Sequence, residues 1–155
     1  MKLVERTIHV NAPADVLYEL LTDAEHFAAW MAAAAQLDPR PGGVIRWTHL
    51  SGDSCSGRFV ELVPGRRIVF TYGWERADVE IPPGSTTVEI TLVPAGQGTT
   101  LRLVHRGLAG PMADAHSGGW AHYLGRLAKV AEGGDPGPDA FADRRVPAAA
   151  QLGMS

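Results

Sequence analysis

The sequence predicts an α+β domain built on one antiparallel sheet of about six strands, with two short helices after the first strand and one long helix near the C-terminus. Three observations carry this. Residues 2–10 alternate apolar and polar side chains, five further β-type segments separated by Gly or Pro fill Val44 to Arg106, and beyond Pro111 the apolar period becomes that of a helix.

In KLVERTIHV, Val4, Ile8 and Val10 share one face and Glu5, Thr7 and His9 the other, the alternation of a half-buried strand, with Arg6 the exception on the apolar face. In NAPADVLYELL, Pro13 suits a first helical turn and Val16, Leu17, Leu20 and Leu21 recur at helical spacing. Thr22 and Glu25 have capping-box spacing ahead of a second short helix that carries Phe27, Trp30 and Met31 on one face, and the run Ala32 to Ala35 could extend it. Asp38 to Gly43 reads as a turn. Strands follow at Val44 to Leu50, Ser56 to Val63, Arg67 to Trp74, Thr86 to Val93 and Thr99 to His105, and their short connections imply antiparallel neighbours. Ile68, Phe70, Tyr72 and Trp74 share a face, as do Val88, Ile90 and Leu92, and Leu101, Leu103 and His105. The long helix runs from about Ala113 to Glu132 on a stripe of Trp120, Leu124, Leu127 and either Val130 or Ala131, and Gly133-Gly134 ends it.

Residues 1–132 are thus expected to form a single domain, and residues 133–155 a Pro-, Gly- and Ala-rich tail. The tail's Phe141, Val146 and Leu152 are too sparse to order alone, so they should pack on their own domain or on a partner, and a homodimer is the expectation.

Composition narrows the function classes. Fourteen Lys plus Arg against seventeen Asp plus Glu give a net charge of −3, and without a basic run there is no case for a nucleic-acid or anionic-membrane partner. No apolar stretch approaches the ~20 residues of a membrane span. Lys2, Glu5, Arg6 and Asp15 interrupt the N-terminal region, so no secretory signal is expected and the default is a soluble cytoplasmic protein. With one cysteine, Cys55, no disulfide framework is available.

The chemical motifs are sparse. His116 and His122 are six apart and form no HExxH pair, so no metal is expected, and without a CxxC, P-loop or GxGxxG no cofactor is expected either. Ala115-His116-Ser117-Gly118-Gly119 is not a GxSxG nucleophile elbow. Cys55 has His49 and Arg58 nearby in sequence, which could lower its thiol pKa if they converged; a plain structural cysteine is the other reading. Arg46, Arg58 and Arg102 alternate with apolar residues and are simplest as solvent-facing. Glu75 to Asp78 and Asp143 to Arg145 read as solvated loop charges.

The order of elements, and particular words within it, resemble the helix-grip fold of the START and birch-pollen-allergen superfamily (SRPBCC), in the subgroup homologous to the activator of heat-shock protein ATPase. The words are Ala12-Pro13, Leu21-Thr22-Asp23 before Trp30, Pro41-Gly42-Gly43, and Gly57. Glu61-Leu62-Val63-Pro64 before Arg67-Ile68-Val69-Phe70, Thr99-Thr100-Leu101 with His105, and Gly119-Trp120 with Leu124 and Leu127 complete them. The resemblance covers about residues 1–132. It implies a curved sheet wrapped around the long helix with a cavity between them. Phe27, Trp30, Met31, Trp47, Phe59, Phe70, Tyr72, Trp74, Ile90, Leu103, Trp120 and Leu124 fall at positions that could face such a space, though aromatics at strand and helix spacing also build ordinary cores.

Three functions follow from the resemblance. The first is binding of a hydrophobic or aromatic small molecule in the cavity. The second is a polyketide-cyclase or dehydratase type of enzyme, with His105 and Glu61 as acid and base. His105 shares the inward face of Leu101 and Leu103 but could equally be a hydrogen-bonded core residue, and Glu61 shares a face with Phe59 but could point to solvent. The third is regulation of a chaperone ATPase.

Overall fold

A computed structural model describes residues 2–142 and 144–153. Strand β1 (Lys2–Val10) leads into helices α1 (Ala14–Thr22) and α2 (Ala24–Met31). Strands β2 (Ala34–Leu37), β3 (Val44–Thr48), β4 (Ser54–Val63), β5 (Arg67–Trp74), β6 (Thr86–Ala95) and β7 (Gly98–Leu108) follow, then α3 (Gly110–Ala131) and a short 3-10 turn at Ala149–Leu152. All seven strands form one open antiparallel sheet in the order β1-β7-β6-β5-β4-β3-β2, with α3 against it in the helix-grip arrangement. No helix among the described residues is long and apolar enough to cross a membrane.

The sheet has seven strands rather than about six because Ala34 to Leu37 do not continue α2. Ala32 is already extended (φ −152°, ψ 171°), and β2 pairs with β3 from Ala34 opposite Thr48 to Leu37 opposite Ile45. Alanine favours helix, but that preference is a few tenths of a kcal/mol per residue and an edge hydrogen-bond ladder overrides it. The α2 cap also differs from expectation. The Asp23 carboxylate accepts from the His26 backbone N–H at 3.2 Å, while the Thr22 hydroxyl donates back to the Tyr18 carbonyl at 2.7 Å, so the cap lies one residue beyond Thr22. Helix α3 starts at Gly110, earlier than Ala113, with Pro111 in its first turn where a missing N–H costs nothing.

Strand β4 carries a bulge that changes which side chains face inward. Phe59 lies opposite Phe70 and Glu61 opposite Val69, leaving Val60 extra. One inserted residue reverses the alternation beyond it. Phe59 is therefore buried, Glu61 is exposed, and Leu62 turns back to the core.

Leu17, Leu20 and Leu21 of α1 and Phe27 and Trp30 of α2 pack with the inward residues of β3 to β7 and with Leu124 and Leu127 of α3. The Trp30 indole N–H donates to the Leu20 carbonyl at 2.9 Å, which satisfies the polar atom of a ring only 1% exposed. Arg6 serves as a tie on the apolar face, its guanidinium donating to the carbonyl (3.1 Å) and hydroxyl (2.7 Å) of Ser117.

The tail folds back on its own chain. Phe141 stacks on His122 with ring centres 3.8 Å apart, and Phe141, Val146 and Leu152 pack against the core. Of the two surfaces that could cover these residues, their own domain or a partner, their own domain supplies one, and they are partly buried on it.

Candidate functional site

Near the N-terminal half of α3 the helix and sheet border a half-open cavity of about 230 Å³. Trp47, Cys55, Tyr72 and Trp74 line it from β3, β4 and β5, His49 from the turn after β3, and Met31 from the end of α2. Ala115, His116, Gly119, Trp120 and Tyr123 line it from α3, and Phe141 with Arg144 to Pro147 closes it from the tail. Its position follows from residue size. Leu124 and Leu127 fill the space under the second half of α3, whereas Ala115 and Gly119, one turn apart on the inward face, leave it open. A Cβ placed on Gly119 would meet no atom within 4 Å.

Of the twelve side chains expected at the cavity, Met31, Trp47, Tyr72, Trp74 and Trp120 line it. Phe27, Trp30, Phe59, Phe70, Ile90, Leu103 and Leu124 instead belong to the close-packed core beside it, where facing large side chains leave no void. Sequence reasoning passed over Tyr123, Gly119 and the tail residues. Small residues one turn apart on a helix stripe were the available signal for the first half of α3.

His105 is fully buried, and both of its ring nitrogens are occupied. The Trp120 indole N–H donates to Nδ1 at 3.0 Å, so Nδ1 bears the lone pair. Nε2 therefore carries the proton and donates to the Thr86 hydroxyl at 2.8 Å, which donates in turn to the Tyr72 carbonyl at 2.8 Å. Burial, with His116 as a lesser influence, pushes the His105 pKa down to about 3. Glu61 is on the outer face, where its carboxylate accepts from Arg67 Nε at 3.1 Å. The structure does not bring His105 and Glu61 together, because the bulge in β4 turns Glu61 outward.

His116 is likewise neutral. Its Nδ1 donates to the Met112 carbonyl at 2.8 Å, and burial lowers its pKa. Cys55 shows no activation. Burial pushes its thiol well above its ordinary value; of the two neighbours in sequence, Arg58 is turned out to the Gly42 carbonyl and His49 shares the cavity with it.

The loop charges are more than solvated. Asp53, 2% exposed, accepts from Arg76 Nη1 at 3.1 Å, Arg145 Nη2 at 2.9 Å and the Val146 backbone N–H at 3.1 Å. Burial opposes ionisation of Asp53, but these donors outweigh it and hold the pKa below the usual value. Asp143 lies outside the described residues. Because Asp53 pins the tail over the cavity, Asp53→Asn is expected to cost about 1 to 3 kcal/mol through weakened charged hydrogen bonds. Urea melts would measure that loss, and hydrogen exchange should show faster opening at the Val146 amide; wild-type exchange there would show that Asp53 is not the pin.

The chain is similar to several known proteins. It is 42% identical to an AHSA1-like protein of Rhizobium etli solved by NMR, covering 94% of this chain and 91% of that one with a TM-score of 0.70. It is 27% identical over 123 residues to human Activator of 90 kDa heat shock protein ATPase homolog 1, covering 79% of this chain. An Aha1 dimer from Colwellia psychrerythraea, at 18% identity, matches in fold with a TM-score of 0.71 over 85% of this chain and 97% of that one. The chain spans only 27% and 34% of the lengths of the two curated relatives it matches, an uncharacterised Schizosaccharomyces pombe protein and the human activator. Residues 11–132 match the family described as Activator of Hsp90 ATPase homolog 1-like protein, and the chain belongs to that family.

Proposed function

We propose that this protein binds a small hydrophobic or aromatic molecule in the cavity between α3 and the sheet. The observation that carries this reading is the cavity itself, aromatic-walled, with Gly119 leaving room where a larger side chain would close it. A mixed aromatic and apolar wall with few polar groups is what small-molecule sites use. An acid–base enzyme built on His105 and Glu61 has less support, since both nitrogens of the first are occupied and the second faces solvent. Regulation of a chaperone ATPase rests on the family's description and on the names of relatives, of which the human one is about three times as long as the matched part.

Gly119→Leu tests the reading without unfolding the protein. Replacing a helical glycine by leucine favours the helix by up to about 1 kcal/mol. The variant should melt at or above the wild-type temperature while losing binding of a neutral two-ring dye such as 6-acetyl-2-dimethylaminonaphthalene. The wild type should bind such a dye at micromolar level, about −8 kcal/mol. Equal dye binding by both proteins would place the dye elsewhere and remove the cavity's role.

A further inference from the structure

The cavity wall offers donors and cations and almost no acceptors. With His116 Nδ1 bonded to Met112, Nε2 has one lone pair, yet Trp74 Nε1 (3.1 Å) and the Tyr72 hydroxyl (3.0 Å) both converge on it. One lone pair accepts one strong hydrogen bond. The indole N–H is fixed by its ring and the hydroxyl rotates, so the Tyr72 O–H turns to the Cys55 sulfur, a weak acceptor. His49 repeats the pattern. Its Nε2 accepts from Trp47 Nε1 at 3.2 Å, which puts its proton on Nδ1, and its partner there among the described residues is the Tyr123 oxygen at a long 3.4 Å. Tyr123 spends its own proton on Asp139 at 2.8 Å.

At the mouth stand Arg144, its guanidinium carbon 3.8 Å from the Phe141 ring centre, and Arg145. Among the described residues, which do not include Asp143, none that lines the cavity is Asp or Glu. Among the described residues, the carboxylates bonded to the wall, Asp53 and Asp139, are outside it and already hold Arg76, Arg145, His122 and Tyr123.

We infer that the ligand is a planar aromatic acid of one or two rings, its ring against Trp74, Trp120 and Tyr123 and its carboxylate at Arg144. This rests on the cavity being a binding site and adds the ligand's charge and shape. The size follows from volume: a cavity of about 150 Å³ takes benzene, and this one has about 230 Å³. A carboxylate supplies the acceptors the wall lacks, and a charged hydrogen bond to guanidinium is among the stronger polar contacts.

Three isosteric probes separate this inference from the broader reading: naphthoate, neutral naphthamide and cationic naphthylmethylammonium, titrated at neutral pH by calorimetry and tryptophan fluorescence. Naphthoate should bind about tenfold more tightly than naphthamide, and the cation should bind most weakly. Arg144→Gln should abolish the preference for naphthoate over naphthamide, and added salt should shrink it in the wild type. Equal affinity for naphthoate and naphthamide, or a preference that survives Arg144→Gln, would overturn the aromatic-acid assignment and leave cavity binding standing. If no probe binds, both fall.

Discussion

Trp120→Ala is expected to lower the free energy of unfolding by about 3 to 5 kcal/mol, the usual cost of deleting a large buried aromatic side chain. Trp120 is 5% exposed and faces both the cavity and the Tyr72–His105 cluster. Its removal opens the void toward the core and also strips the donor from His105 Nδ1. The better helix propensity of alanine returns only about half a kcal/mol. Trp120→Phe separates the contributions, since it keeps most of the ring but leaves His105 Nδ1 without a partner, a loss of about 1 to 3 kcal/mol. Urea melts measure both. A loss under about 1 kcal/mol for Trp120→Ala would mean that α3 is not packed on the sheet through this residue.

Stability is expected to fall steeply as pH drops from about 6.5 toward 3. In the unfolded chain a histidine protonates near 6.5, whereas His105 in the folded protein resists protonation down to about 3 because it is buried. Throughout that window the unfolded state holds the extra proton, so stability declines by about 1.4 kcal/mol per pH unit for this one group. His116 and His49, both lowered by burial, steepen the decline. Asp53 acts in the same direction at the acid end, because its depressed pKa contributes stability above the ordinary carboxylate range that is lost below it. The diagnostic variant is His105→Gln. A glutamine oxygen can accept from Trp120 and its amide N–H can donate to Thr86, so the fold should survive, while about one proton's worth of slope disappears between pH 6.5 and 4.5. Urea melts across that range decide it. A flat wild-type profile, or an unchanged slope in the variant, would show that His105 is not held neutral.

The acid–base candidates illustrate where sequence reasoning stops. Alternation with Leu101 and Leu103 correctly turned His105 inward, but whether an inward histidine meets a ligand or a tryptophan N–H depends on α3, fifteen residues away in sequence. Alternation also paired Glu61 with Phe59, and the extra residue at Val60 undid that pairing. A bulge is a property of two strands in register, and neither strand alone encodes it.

The sequence by itself determined the order of the main elements apart from β2, the antiparallel sheet with its long helix, and the family, because period-two and helical apolar patterns are local and burying them admits few arrangements. Only the tertiary structure decided which aromatics pack solidly and which border empty space, since a void is the space between facing elements and depends on the sizes of both. It also decided the fate of the tail. Phe141, Arg145 and Val146 have no pattern of their own, and they are held by a buried carboxylate at Asp53 and an imidazole at His122, ninety-two and nineteen residues before Arg145 and Phe141 in the chain.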